Sequence, residues 1–146
     1  MFDEQHIRGA DEALHLMNLL DQLLGPASPC EDPHVRHLVL DNDVRVFIED
    51  SVRDEDVTIG SWPGRMPQDD WLASLTQPWM ICGKSPLHAD ASEAVSVEPG
   101  TGLTLLLSMW PRAALTQQAL AEALEMRLHA HRLWSSRLAP LDPSSN

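Results

Sequence analysis

The first half of the chain contains three short runs in which apolar and polar residues alternate, and this pattern constrains the fold more than any other feature. The runs cover residues 35–40, 44–48 and 56–62. In the second run Val44, Val46 and Ile48 fall on one face of a strand and turn to the core, while Phe47 falls on the other face. The turn residues Asp41-Asn42-Asp43 join the first two runs. The pattern predicts an antiparallel three-stranded meander.

A second pair of strands is predicted in the C-terminal half. Residues 92–98 and 102–110 lie on either side of Pro99-Gly100-Thr101-Gly102, which is a strong turn signal. Leucines occur on both faces of the second run, with Leu105 on one face and Leu106 on the other. Such a two-sided strand indicates a central position in a sheet or a position at an interface.

Helical periodicity marks three further segments. These are residues 11–24, 68–77 and 115–138. The first carries apolar residues at helical spacing and ends at Gly25-Pro26, while the third carries a stripe that includes Leu120 and Trp134. No element is predicted for residues 79–90.

The predicted elements follow the order α-β-β-β-α-β-β-α. We therefore expect a single α+β domain in which a twisted antiparallel sheet packs against helices. A chain of 146 residues is long enough to bury its own core. The domain should span residues 1–146, with frayed ends at about 1–9 and 139–146.

The charge of the chain narrows the class of partner. Ten basic and 22 acidic side chains give a formal net charge of −12, which repels nucleic acid and anionic membrane surfaces. The N-terminus lacks the features of a secretory signal, and no apolar run reaches the roughly 20 residues needed to cross a bilayer. We expect a bacterial cytoplasmic protein that binds other proteins, with Cys30 and Cys82 reduced.

Motifs that carry chemistry are incomplete. Gly83-Lys84-Ser85 matches the end of a phosphate-binding loop, but Pro78 stands where that loop requires a glycine. Asp41-Asn42-Asp43 begins like a calcium loop that lacks its glycine. Gly60-Ser61-Trp62-Pro63-Gly64 resembles a hydrolase elbow, but Trp62 occupies the position of the nucleophile. The sequence thus predicts no cofactor, no metal and no catalytic residue, and an enzyme of unknown type stays open as an alternative.

The C-terminal half carries a family resemblance. It contains VSVEPGTGLTLLLS at 95–108, PRAAL at 111–115 and RLWSSRL at 132–138. This series of a strand, a turn, a leucine-rich strand with a proline-containing link and a helix with a late tryptophan resembles the class I type III secretion chaperones, the CesT-like or Tir-chaperone family. The size, the acidity and the order of elements in the front half agree, whereas residues 78–83 depart from the family pattern.

The resemblance implies a homodimer that binds the N-terminal region of a cognate effector protein, keeps it soluble and competent for secretion, and aids its delivery to the export apparatus. An alternative is a chaperone-like regulatory protein that sequesters another secretion-system protein. The expected effector-binding residues are Val39, Phe47, Leu16, Leu20 and Leu106. The expected dimer-interface residues are Trp71, Leu75, Trp79, Val95 and Val97.

Overall fold

A computed structural model describes residues 34–51, 53–66 and 79–141, without the side chains of residues 79–81. Within these ranges the chain forms six strands, a short 3-10 helix and one α-helix. The strands are β1 (Val35–Leu40), β2 (Val44–Ser51), β3 (Asp56–Arg65), β4 (Trp79–Lys84), β5 (Ser92–Val97) and β6 (Leu103–Pro111). The 3-10 helix spans Arg112–Ala114, and the α-helix, α1, spans Gln117–Ser135.

The six strands form one antiparallel sheet in the order β1-β2-β3-β6-β5-β4. Two three-stranded meanders, β1–β3 and β4–β6, are joined by the pairing of β3 with β6. The α+β class and the antiparallel sheet are therefore confirmed. The helices predicted at 11–24 and 68–77 lie outside the described residues.

Two tight turns fix the register of the meanders. Asp41 and Asn42 adopt positive φ angles of 51° and 65°, and the Asp43 N–H donates to the Leu40 carbonyl at 3.2 Å. Asn and Asp tolerate this left-handed conformation better than other side chains that carry a Cβ. Between β5 and β6 the left-handed positions are held by Gly100 and Gly102. Both predicted turns are confirmed.

The main core lies between one face of the sheet and α1. Apolar side chains from β1, β2, β3 and β6 meet one face of the helix, in which Leu120 and Ala123 are fully buried. The sheet residues of this core include Leu38, Val44, Val46, Ile48, Val57, Ile59 and Trp110. The predicted inward face of β2 is confirmed, because Val46 and Ile48 are buried there.

A bulge interrupts β3 near its end. Ser61 pairs with Leu106 and Gly64 pairs with Thr104, so β3 has one residue more than β6 over this stretch. A bulge of this kind bends the strand and increases its twist. Pro63 suits the position because it has no N–H to contribute to a ladder. The pairing of β2 with β3 ends just before the bulge, at Phe47 and Gly60.

Several predicted boundaries were wrong. Residues 79–84 form a sixth strand where no element was predicted, and β3 continues through Pro63 to Arg65. The helix predicted at 115–138 begins later, at Gln117, because the side chain of Thr116 caps its N-terminus by accepting a hydrogen bond from the Ala119 N–H, and it ends earlier, at Ser135. Its buried face also includes Arg127, which the apolar stripe did not predict.

The segment after α1 returns to the sheet. The N–H of Arg65 donates to the Ala139 carbonyl at 2.9 Å, and the N–H of Ala139 donates back at 3.0 Å. A Cβ at Gly64 would lie 2.8 Å from the Leu138 Cβ, so a glycine is needed for this approach. The first part of the expected frayed end is therefore held against β3.

A buried ion pair ties the end of β2 to the residue after β6. Arg112 donates to Asp50 Oδ1 through Nη2 at 2.6 Å and through Nε at 2.9 Å. The side chains are 2% and 0% exposed. Arg112 Nη2 also donates to the Ser51 carbonyl at 2.9 Å. These bonds hold the two meanders in register on the side of the sheet that α1 covers.

We predict that Asp50→Ala lowers the free energy of unfolding by about 3–5 kcal/mol, because it leaves the Arg112 charge buried without its carboxylate. Asp54→Ala removes an exposed carboxylate from the turn that follows β2, and it should change the free energy by no more than about 0.5 kcal/mol. Urea unfolding of the two variants and the parent measures the difference. Equal losses in both variants would contradict the assignment.

Candidate functional site

The sheet face opposite α1 carries an exposed group of apolar side chains. Val39 is 59% exposed and Trp62 is 39% exposed. Leu105, Leu107 and Met109 are half-buried, in contrast to their strand neighbours that point toward α1. We call this surface, made of Val39, Phe47, Trp62, Leu105, Leu107 and Met109, the opposite face. Exposed apolar area on one face is typical of a surface that contacts another protein.

Phe47 lies at the centre of the opposite face. Its ring centroid is 5.0 Å from that of Trp62, with the planes tilted by 34°. The ring rests on Gly60, where a Cβ would lie 2.6 Å from Phe47 Cε1 and 2.9 Å from Leu107 Cδ2. Phe47 therefore points away from α1, as the alternation predicts, but it is only 9% exposed. The aromatic surface that a partner meets is mainly that of Trp62.

A cleft opens where β2 and β3 separate. β2 pairs with β1 over residues 44–49, but it pairs with β3 only over residues 47–51. The cavity between the separated strands has a volume of about 360 Å³. Its lining residues are His37, Asp43, Arg45, Val46, Phe47, Trp62, His131 and Leu141. We call it the β2–β3 cleft.

The floor of the cleft is fastened to α1 by polar contacts. His131 Nδ1 lies 2.9 Å from Ser61 Oγ. Arg132 forms ion pairs with Asp41 and Asp43 in the β1–β2 turn, the second through Nη2 and Oδ1 at 3.2 Å. These contacts hold the C-terminal half of α1 beneath the cleft.

The protonation of His131 is shifted by its position. Burial lowers the pKa of His131 below its ordinary value, and nearby Arg127 and Arg132 lower it further, whereas Asp43 raises it. The ring is therefore neutral at neutral pH. A neutral ring can both donate and accept, which suits the hydrogen bond with Ser61.

Ser61, His131 and Asp43 contain the residue types of a hydrolytic triad but not its arrangement. Ser61 is 0% exposed, so its hydroxyl has no access to a substrate. Arg132 already binds the Asp43 carboxylate. A nucleophile must be reachable and oriented by a base that is itself oriented. The three side chains therefore fasten α1 to the sheet, and the geometry gives no nucleophile here.

A second polar cluster fastens α1 to the other half of the sheet. Arg127 Nη2 donates to Glu93 Oε2 at 2.6 Å and also to Ser108 Oγ. Ser108 Oγ donates to Glu93 at 2.9 Å. Arg127 is 2% exposed, and a charge at this depth is stabilised by such pairing. The cluster lies beside a smaller cavity of about 250 Å³ that Val95 and Leu106 help to line.

The predicted site residues are spread over different environments. Val39 and Phe47 share the opposite face, whereas Leu106 is 2% exposed on the side of α1. Val95 is half-buried and Val97 is buried, so only the first presents surface to a partner. The backbone of Trp79 lies in β4. Leu16, Leu20, Trp71 and Leu75 lie outside the described residues.

Sequence reasoning missed Trp62 and the β2–β3 cleft. The signal was Ser61-Trp62-Pro63-Gly64, in which a proline and a glycine follow directly on a β-prone run. We interpreted Pro63 as the start of a loop, whereas within a strand such a pair marks a bulge. Alternation from the buried Ser61 places Trp62 on the opposite face, and the bulge that follows opens the cleft beside its ring.

The described residues contain neither a metal-binding cluster nor a membrane-spanning helix. Within residues 34–51, 53–66 and 79–141, no group of three or more His, Cys, Asp or Glu side chains is arranged to hold a metal ion. No helix in that part of the chain has both the length and the apolar character needed to span a membrane. Cys82 is exposed and has a free thiol.

Comparison with solved structures identifies the fold. A chain of the HopA1–SchA chaperone–effector complex superposes with a TM-score of 0.61 at 15% identity, covering 93% of this chain and 99% of that one. The Yersinia pestis type III secretion chaperone SycH, in complex with a stable fragment of YscM2, gives a TM-score of 0.52 at 12% identity, covering 84% of this chain and 98% of that one. A chain of the ExsC–ExsE complex gives 0.56 at 16% identity over 88% and 96%. The chain therefore has the fold of the type III secretion chaperones.

Sequence comparison adds no further relative. Neither a protein-family model nor a curated protein sequence matches this chain. The family resemblance seen in residues 95–138 is thus supported through the fold. At identities of 12–16% the backbone arrangement is shared while most side chains differ.

The lowered pKa of His131 predicts a pH dependence of stability. Since the folded protein favours the neutral ring, the unfolded chain takes up the proton first as the pH falls below about 6.5, and stability is lost on the acidic side. His131→Gln keeps a hydrogen-bonding group near Ser61 but does not titrate. The difference in Tm between parent and variant should shrink from pH 7.5 to pH 5.5. Parallel pH profiles would show that His131 does not contribute.

Proposed function

We propose that the protein is a type III secretion chaperone. It binds the N-terminal region of a cognate effector in the bacterial cytoplasm, keeps that effector soluble and competent for secretion, and aids its delivery to the export apparatus. The activity consists of binding alone, and it requires no catalytic group and no cofactor.

The observation that carries the proposal is the shared fold. The chain superposes on nearly the whole length of chains from two chaperone complexes, covering 99% and 98% of them, and one of these is a chaperone–effector complex. A fold alone does not specify a function. The proposal therefore also depends on the properties of the protein surface.

The opposite face supports partner binding on physical grounds. Val39 and Trp62 present apolar surface to solvent on the same side of the sheet, and covering that surface is favourable by the hydrophobic effect. Among the described strands β1 lies at an edge of the sheet, so its backbone can pair with an extended segment, which is a common mode of peptide recognition. The net charge of −12 keeps a carrier of exposed apolar chains soluble.

The second candidate is a chaperone-like regulator that sequesters another secretion-system protein. It is favoured by the range of matched complexes, since one is a chaperone–effector complex while another holds SycH with a fragment of YscM2. The same binding surface serves both candidates. They differ in whether the bound protein is exported or retained.

We also propose that the protein is a homodimer. β4 is the edge strand at the other end of the sheet, and it pairs with β5 alone among the described strands. An edge with exposed Cys82 and Gly83 is open to pairing with a second copy about a twofold axis. Trp79, Val95, Trp71 and Leu75 stay predictions for this interface.

The chaperone proposal is tested by co-purification from a secreting bacterium. We expect the tagged protein to retain one partner that the export apparatus secretes, and we expect deletion of the gene for this protein to abolish that secretion while expression of the partner continues. Deletion of the N-terminal region of the partner should abolish the complex. A partner that stays inside the cell under secreting conditions would instead support the regulator.

The homodimer is tested by light scattering coupled to gel filtration. At micromolar concentration we expect twice the chain mass of 16.2 kDa. Lys84→Pro, at the end of β4, removes a backbone donor from the edge strand, whereas Lys84→Ala keeps it. The proline variant should shift toward the monomer and the alanine variant should not. A single-chain mass for the parent would contradict the proposal.

A further inference from the structure

We infer that the β2–β3 cleft is an anchor pocket for one bulky apolar side chain, carried by an extended and basic segment of the partner. The inference rests on the proposed function, because it names where and how the partner is held. It goes further by placing the anchor inside the sheet, between two strands, instead of on an edge or a flat face.

The amino-acid sequence of β3 keeps the cleft open. The bulge between Ser61 and Gly64 turns β3 away from β2, and Pro63 cannot donate to a strand that would close the gap. Beyond the bulge Arg65 pairs with Ala139, so the segment after α1 occupies the side of β3 that β2 has left. The strands are therefore kept apart by local geometry, and the cavity exists before a partner arrives.

The lining of the cleft selects the chemistry of its occupant. Phe47 and Trp62 form one wall, and Val46 and Leu141 add aliphatic surface. His131 at the floor is neutral at neutral pH and already bonded to Ser61, so it makes no demand for a charged ligand. A volume of about 360 Å³ is at the small end of the range of roughly 300–1,000 Å³ for small-molecule sites. It suits a leucine, methionine or phenylalanine side chain and not a folded element.

The surroundings of the cleft select the kind of segment. Residues 44–46 of β2 pair on one side with β1 but have no pairing with β3, which leaves strand backbone beside the cavity for an extended chain. Asp41 and Asp43 at the rim have side chains that are 58% and 65% exposed. Arg132 pairs with both carboxylates and the exposed Arg45 also lines the cleft, so the preference for a basic segment comes from the net charge of −12 over the whole chain. Its long-range field favours a segment with basic residues next to the apolar anchor.

The pocket itself is tested without knowledge of the partner. The probes are N-acetyl methylamides of leucine, phenylalanine and lysine, added at millimolar concentration to the full-length ¹⁵N-labelled protein. We expect the leucine and phenylalanine probes to shift the Trp62 indole N–H and the Gly60 amide resonances in a saturable manner. The lysine probe should leave them unchanged. No saturable shift, or an equal response to lysine, would overturn the inference.

Two variants test the pocket with the co-purified partner. Trp62→Ala removes a wall of the cleft, and His37→Trp fills its mouth from an exposed position on β1. Leu87→Ala is the matched control, because Leu87 is 38% exposed against 39% for Trp62 and lies outside the cleft. We expect each cleft variant to weaken partner binding by about tenfold or more and the control to leave it unchanged. Circular dichroism and the parent Tm identify variants that remain folded.

The outcomes separate the inference from the proposed function. A secreted partner that binds both cleft variants as tightly as the parent sustains the chaperone function and overturns the anchor pocket. Shifts with the apolar probes but no secreted partner sustain the pocket and overturn the function. Because a basic segment is proposed, the affinity for the partner should fall as salt rises from 50 to 500 mM, and an unchanged affinity would overturn that part of the inference.

Discussion

The architecture depends on β3, because this strand joins the two halves of the sheet and carries the helix. It pairs with β2 on one side and with β6 on the other. Val57, Ile59 and Ser61 on its inner face are fully buried, and α1 packs mainly against this strand. A strand used on both edges and on one face has little freedom left. Its pairing changes only at its C-terminal end. There the bulge separates β3 from β2, and the segment after α1 pairs with β3 in place of β2.

The helix is fixed by two different kinds of contact along its length. Its first half buries Leu120, Ala123 and Leu124 against the sheet, which supplies non-directional stabilisation. Its second half reaches the sheet through Arg127 and His131, whose partners Ser108 and Ser61 lie on two neighbouring strands. Apolar packing alone would allow the helix to shift along the sheet. Because hydrogen bonds require a narrow range of distances and angles, these polar contacts fix its position.

The sequence predicted those parts of the structure that depend on local patterns, such as strand alternation and turn residues. Val44, Val46 and Ile48 revealed the inner face of β2, and the paired glycines after Pro99 revealed the turn before β6. The apolar run Trp79-Met80-Ile81-Cys82 is a strand signal of the same kind, but its neighbouring Pro78 and Gly83 led to no prediction.

The β2–β3 cleft was not predictable in this way. Its walls come from segments far apart in the chain, and its position depends on the bulge and on Ala139. Arg127 was missed for a related reason, since its buried position depends on Glu93 in β5. The cleft and the burial of Arg127 both depend on tertiary contacts, which produce no periodic pattern in the sequence.

The residues that stabilise the sheet differ from those that form the β2–β3 cleft. The inner face, the turns and the buried pair of Arg112 with Asp50 stabilise the sheet itself. Trp62-Pro63-Gly64 is different, because a regular strand would pair better with β2 than the bulged strand does. Backbone pairing between β2 and β3 is lost beside the bulge, and a cavity is left next to the aromatic side chain of Trp62. A local departure from regular structure is commonly found beside functional sites. If the cleft holds a side chain of the partner as proposed, this bulge is the feature that gives the chain its own selectivity.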